Sequence, residues 1–168
     1  MNASRTHDSR DNLNDFLAAS ALLTGFSRVE LQGTGLAQTY YGVLWGAAGS
    51  TATAALIEQV LRVEACSGSE RDGELRQVFE DPQLGPPCQR LIALWYTGVW
   101  KALPSAWHAQ YAGDFQDFDH VISPDSYRQG LQWPTIGSHP QGAKQPGFAT
   151  WSFPPAPPPL ERSDNHGS

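Results

Sequence analysis

Charge and sulfur are both scarce in this sequence. Lys, Arg, Asp and Glu make up 17% of its 168 residues, against ~25% in an ordinary globular domain. Cations are the scarcer sign: 11 Lys and Arg face 17 Asp and Glu, so the net charge is −6. That balance argues against nucleic acid, whose phosphates need a basic stripe. It argues equally against electrostatic docking on an anionic membrane surface. No apolar run is long enough to span a bilayer. The first fifteen residues, MNASRTHDSRDNLND, hold neither an apolar stretch nor a twin-arginine pair, so no export signal is legible there.

Catalytic and metal-binding patterns are missing as well. The five histidines, His7, His108, His120, His139 and His166, stand far apart, and none has a Cys or His at ligand spacing. Asp114, Asp117, Asp119 and His120 are the densest ligand-type cluster. They lack the glycine and the distal Glu of a calcium loop, and read as a solvated acidic loop. Gly33-Thr34-Gly35 resembles the opening of a dinucleotide fingerprint, but Gln38 stands at its sixth position and no βαβ pattern follows. It reads as a turn before a helix. There is no Gly-x-Ser-x-Gly elbow and no Cys-x-x-Cys. Cys66 and Cys88 are isolated, and fit either packed thiols or, in an oxidising compartment, a disulfide.

What the chain does have is tryptophan, six in all, and length enough for one domain with a real core. Large apolar residues in a chain poor in charge fit two pictures: a tryptophan-rich core, or an interface centre. Residues 1–11 read as disordered. A helix is expected from Asn12 or Asn14, with Leu13, Phe16, Leu17, Ala21 and Leu23 inward and Gly25 as its C-terminal cap. A second covers about Gly35 to Ala47, a turn falls at Gly49-Ser50, and a third runs from Thr51 to about Ala65. A short helix ends near Phe79, before Asp81-Pro82. Behind Pro86-Pro87 lies the most apolar segment, CQRLIALWYTGVWKAL. Its faces Leu91/Leu94/Trp95/Gly98 and Ile92/Tyr96/Val99 predict a helix buried on most sides. Ala109 to His120 reads as loop. Ser123 and Pro124 predict a last short helix, about Asp125 to Gln132.

From Pro134 onward the composition shifts. Eight of the 13 prolines lie there, which excludes helix and central strand from the reading. Trp133, Ile136, Phe148, Trp151 and Phe153 nonetheless punctuate it. An extended arm over residues 133–153 follows, and then a disordered Pro-rich tail over 154–168. The expected class is all-α: a compact helical domain over 12–153 with a long extended Pro/Gly-rich C-terminal arm. Its profile is that of a partner-binding subunit.

Three segments carry a family resemblance: LAASALLTGF near the start, LIALWYTGVW in the middle and SPDSYRQGLQWPTIGSHPQGAKQPGFATW towards the end. Together they resemble the small subunit of membrane-associated, FAD-dependent sugar and polyol dehydrogenases. This is the sorbitol dehydrogenase small-subunit family, similar to the fructose and gluconate dehydrogenase small subunits. The resemblance covers about residues 13–153. It implies a subunit without a cofactor of its own, an accessory of an oxidoreductase complex rather than an enzyme. Such a subunit binds a large flavoprotein that holds FAD and assists its maturation and export. A multihaem cytochrome c subunit completes those complexes, on the periplasmic side of the membrane. Two other readings remain: a free-standing helical chaperone or interaction protein, and a dehydrogenase in its own right.

If this chain is such a subunit, its surplus aromatic residues supply the interface. A stable interface hides about 800 Å² per partner, and one aromatic side chain supplies ~150–250 Å². Trp100, Trp107, Trp133 and Trp151 facing outward would nearly provide it. The expected partner-facing set is Tyr96, Trp100, Trp107, Trp133, Ile136, His139, Lys144, Phe148 and Trp151.

Overall fold

A computed structural model describes residues 3–112 and 117–140, with backbone alone for 3–10 and 112. These residues form an all-α domain with one two-stranded β pair. Helix α1 spans Ala3–Thr24, α2 Arg28–Gly33 and α3 Ala37–Ala65. Helix α4 spans Gly68–Glu80 and α5 Gly85–Thr97. Strand β1 (Val99–Trp100) pairs antiparallel with β2 (His120–Val121). Between them lie α6 (Ser105–Trp107) and a π-helical turn, His108–Ala112. Two short helices follow, α7 (Pro124–Arg128) and α8 (Gln132–Thr135).

Local sequence explains most boundaries. α1 ends where Gly25 turns to φ +78°, a conformation that costs glycine little. Ser27 and Glu30 form a reciprocal capping box that starts α2. Asp81 ends α4 and then accepts the backbone N–H groups of Gln83 and Leu84, both at 2.7 Å, which shapes the turn into α5. Pro86 and Pro87 sit in the first turn of α5, where no amide partner is needed. Ser123 and Ser126 cap α7 reciprocally, with Pro124 at its start.

The core forms around α5. Leu91, Leu94 and Trp95 are buried, and Ile92, Tyr96 and Val99 are half-buried. The Trp95 ring meets the edge of Tyr40 at 4.8 Å and stacks near Phe16 at 6.2 Å. Several polar tips inside the core are satisfied across long sequence distances. Trp95 Nε1 donates to Ser20 Oγ at 3.0 Å, and the Tyr96 hydroxyl donates to the Thr24 carbonyl at 3.0 Å. The Leu131 amide donates to the Trp95 carbonyl at 3.1 Å, and Ser126 Oγ to the Gly98 carbonyl at 2.9 Å. All three segments that carry the family resemblance therefore meet along one seam between α1, α5 and the α7–α8 turn.

The second and third helices expected from the sequence are one element with a break. At Gly49 the backbone takes φ +78° and ψ +166°, a region essentially reserved for glycine. The two halves of α3 bend there. The buried Thr53 hydroxyl bridges the break, donating to the Leu44 carbonyl at 3.4 Å.

Several expectations are corrected. Residues 3–11 are not disordered but form the first turns of α1. Once Phe16 and Leu17 anchor that helix, each added residue brings one hydrogen bond at little further nucleation cost. Residues Arg28–Gly33, for which the sequence reading expects no helix, are helical. The apolar segment after Pro87 is not helical to its end. Gly98 adopts the left-handed conformation (φ +72°, ψ +12°), and β1 follows. Pro134 does not exclude helix: it lies in the first turn of α8, together with Trp133, where a missing N–H is no loss. Trp133 through Thr135 are thus not extended. The remainder of the expected arm, 141–153, and the tail, 154–168, lie outside the described residues.

Candidate partner-binding surface

The expected interface residues divide sharply. Trp100 and Trp107 are 1% and 4% exposed, so neither faces outward. Trp100 is drawn in because its Nε1–H finds the Asp117 carboxylate at 2.6 Å. Trp107 donates to the Gln83 carbonyl at 2.8 Å. A buried indole with its single donor satisfied belongs to the core. Tyr96 is half-buried, its ring edge against Phe26. Trp133 is half-buried, bonded to the Tyr127 carbonyl at 2.8 Å with its ring edge on Tyr127. Ile136 is 68% exposed. His139 is half-buried, and its Nδ1 has no hydrogen-bond partner among the described residues. Lys144, Phe148 and Trp151 lie outside the described residues.

The acidic loop is more than a solvated face. The Asp117 side chain is buried, 2% exposed. It accepts Trp100 Nε1, the Leu103 amide at 2.7 Å and His108 Nε2 at 2.8 Å. That single carboxylate ties β1, the β1–α6 link and the π-helical turn to the segment entering β2. Asp119, two residues on, points outward. It accepts Lys101 Nζ at 2.7 Å and the Ala102 amide at 2.8 Å, and these bonds, Lys101 first, hold its carboxyl below the usual 3.8. No short-range pattern announces Asp117, because its donors lie 9 to 17 residues away.

Exposed apolar side chains that sequence reasoning missed stand elsewhere. Phe118 is 61% exposed, Val121 59%, Trp45 42% and Val29 78%. Trp45 was legible in principle. Tyr40, Leu44 and Ala47 mark the inward face of α3, whereas Trp45 shares the other face with Gln38, Gly42 and Gly49. Phe118 and His120 border a hollow of about 160 Å³ whose opposite wall is Gly42 and Gly46 of α3. Neither glycine has a neighbour where a Cβ would stand. The result is an open shelf between Phe118 and His120 and the first half of α3.

Burial pushes the Cys88 thiol up to about 12, so at neutral pH it is a packed thiol and not a nucleophile. Cys66 is a separate thiol at the end of α3, donating to the Arg62 carbonyl. Among the described residues no three His, Cys, Asp or Glu side chains converge as a metal site requires. No described helix is long and apolar enough to cross a membrane. Comparison with family models, with curated proteins and with solved structures finds no match to this chain.

Proposed function

We propose that this chain is a non-catalytic accessory subunit of a membrane-associated, FAD-dependent sugar or polyol dehydrogenase complex. It binds the large flavoprotein subunit and assists its maturation and export. FAD belongs to that partner and haem c to a cytochrome subunit; this chain supplies no cofactor. Its place is periplasmic, at the membrane through its partners. The family resemblance suggests the reading. The exposed Phe118 ring beside the open face of Gly42 and Gly46 is the observation that carries it. Exposed apolar residues standing singly are ordinary, but large ones beside a bare helix face favour a partner. The half-buried Tyr96, Trp133 and His139 and the exposed Ile136 lie outside that shelf's lining, and with Lys144, Phe148 and Trp151 they supply a second contact in this reading.

Co-expression with a flavoprotein large subunit of such a complex tests the proposal. The two chains should co-purify with bound FAD, and this chain alone should oxidise no sugar with any dye acceptor. Phe118→Asp should release the flavoprotein while the helical body keeps its melting temperature. Dye-linked turnover by the isolated chain, or undiminished co-purification of the Phe118→Asp variant, would overturn the reading.

A further inference from the structure

The bend in α3 builds a second feature along that helix. Tyr41 and Trp45 precede Gly49, and Ile57 and Leu61 follow it, yet all four line one groove. In a straight helix Tyr41 and Leu61 would stand ~30 Å apart. The bend brings the two halves of α3 to either side of a groove, and α1 closes its end. Its cavity volume is about 340 Å³, at the lower end of what ligand pockets offer. The floor is apolar, and Trp45 leaves 42% of its surface uncovered there.

The lip of the groove is acidic. Asp15 of α1 and Glu58 of α3 both line it, and both are exposed. Glu58 is tied to Arg62 one turn on. Asp15 has no ion pair or hydrogen bond among the described residues. The groove therefore presents an apolar trough with uncompensated negative charge at its edge, on a chain of net charge −6.

The walls decide what conformation can enter. Every lining residue lies within α1 or α3, whose backbone groups are already bonded along the helices. No strand edge is offered, so an extended segment would leave its own N–H and C=O groups unpaired as it desolvates. An occupant must bring its backbone already satisfied, as a helix laid into a groove does. Charge complementarity sets the rest: cations must flank its apolar stripe.

We infer that the α1–α3 groove docks an amphipathic helix of a partner protein, with aliphatic or aromatic anchors on Trp45 and Tyr41 and a Lys or Arg meeting Asp15. This goes beyond the flavoprotein reading and does not depend on it. The groove and the Phe118 shelf are tested by different variants.

The test uses the full chain and two labelled peptides, each of about four helical turns. One carries Leu at helical spacing with Lys elsewhere; the other carries Glu in place of Lys. The Leu/Lys peptide should bind, more weakly as salt rises, and the Leu/Glu peptide should not. Trp45→Ala should raise the dissociation constant about tenfold or more. Asp15→Lys, an exposed change on α1, should invert the preference between the peptides. Equal binding of both peptides, no binding of either, or groove variants that bind like the wild type would overturn the inference. So would binding that emerges only after residues 141–168 are removed, since the groove's occupant would then be this chain's own segment. A dimer that dissociates on Trp45→Ala would overturn it too, by making the occupant a second copy.

Discussion

Replacing Asp117 by Ala removes one acceptor from three donors at once. Trp100 Nε1, the Leu103 amide and His108 Nε2 all end on this carboxylate, within 2.6–2.8 Å. The carboxylate is 2% exposed and the His108 side chain 18%, so water reaches the site poorly. Each buried donor left unpaired costs ~1–3 kcal/mol. Partial rescue at His108 brings the expected total to ~3–5 kcal/mol, a large share of a domain's ~5–15 kcal/mol. At this chain length 1 kcal/mol moves the midpoint by ~2–4 °C, so the melting temperature should fall by roughly 6–20 °C. Far-ultraviolet circular dichroism measures the fall, and near-ultraviolet dichroism reports the loss of fixed indole geometry at Trp100. Asp119→Ala is the matched control. It is the same chemical change two residues away at an exposed carboxylate, and it should melt close to wild type. Equal midpoints for the two variants would refute the claim that the loop is fastened through Asp117.

Gly98→Ala should be strongly destabilising. The left-handed conformation costs an alanine ~1–2 kcal/mol, and its Cβ would meet the Ser126 carbonyl group at 2.5 Å; a thermal melt matching wild type would show that the seam yields. Asp119 sets an acid limb. Its folded-state pKa lies below the ordinary 3.8, so its contribution is present above about pH 4 and is lost as pH falls below that value. Asp119→Asn should therefore melt more nearly alike at pH 7 and pH 3 than wild type does, and an unchanged difference would remove Asp119 from the acid response.

Local signals in the sequence were read well where they act within a few residues. Gly25 as a cap, Gly49 as an interruption, Pro86-Pro87 as a helix start and Ser123-Pro124 as another all act through backbone geometry close by. The inward positions Phe16, Leu17, Leu91, Leu94 and Trp95 followed from helical spacing. The errors at Trp100, Trp107, Asp117 and Gly98 share one cause: the deciding partner is far along the chain. Trp100 and Trp107 read as free for an interface because their acceptors, Asp117 and the Gln83 carbonyl, are 17 and 24 residues away. Asp117 looked solvated for the same reason. The helix was carried past Gly98 because Val99 and Trp100 continue the apolar run, while their β partners lie beyond residue 119. The groove at the bend of α3 had no sequence signature, since it joins residues on both sides of Gly49 to α1.

The seam through Ser20, Thr24, Trp95 and Leu131 has a consequence for how the chain is made. The hydroxyl of Ser20 and the carbonyl of Thr24 meet their partners 75 and 72 residues later, and the amide of Leu131 closes the same seam last. During synthesis the apolar side of α1 emerges about a hundred residues before Leu131. At ~5–20 residues per second, that face waits roughly 5–20 s without its final cover. Ribosome-bound nascent chains halted before Leu131 should accordingly engage holding chaperones through α1, and chains halted after the seam has cleared the exit tunnel should release them.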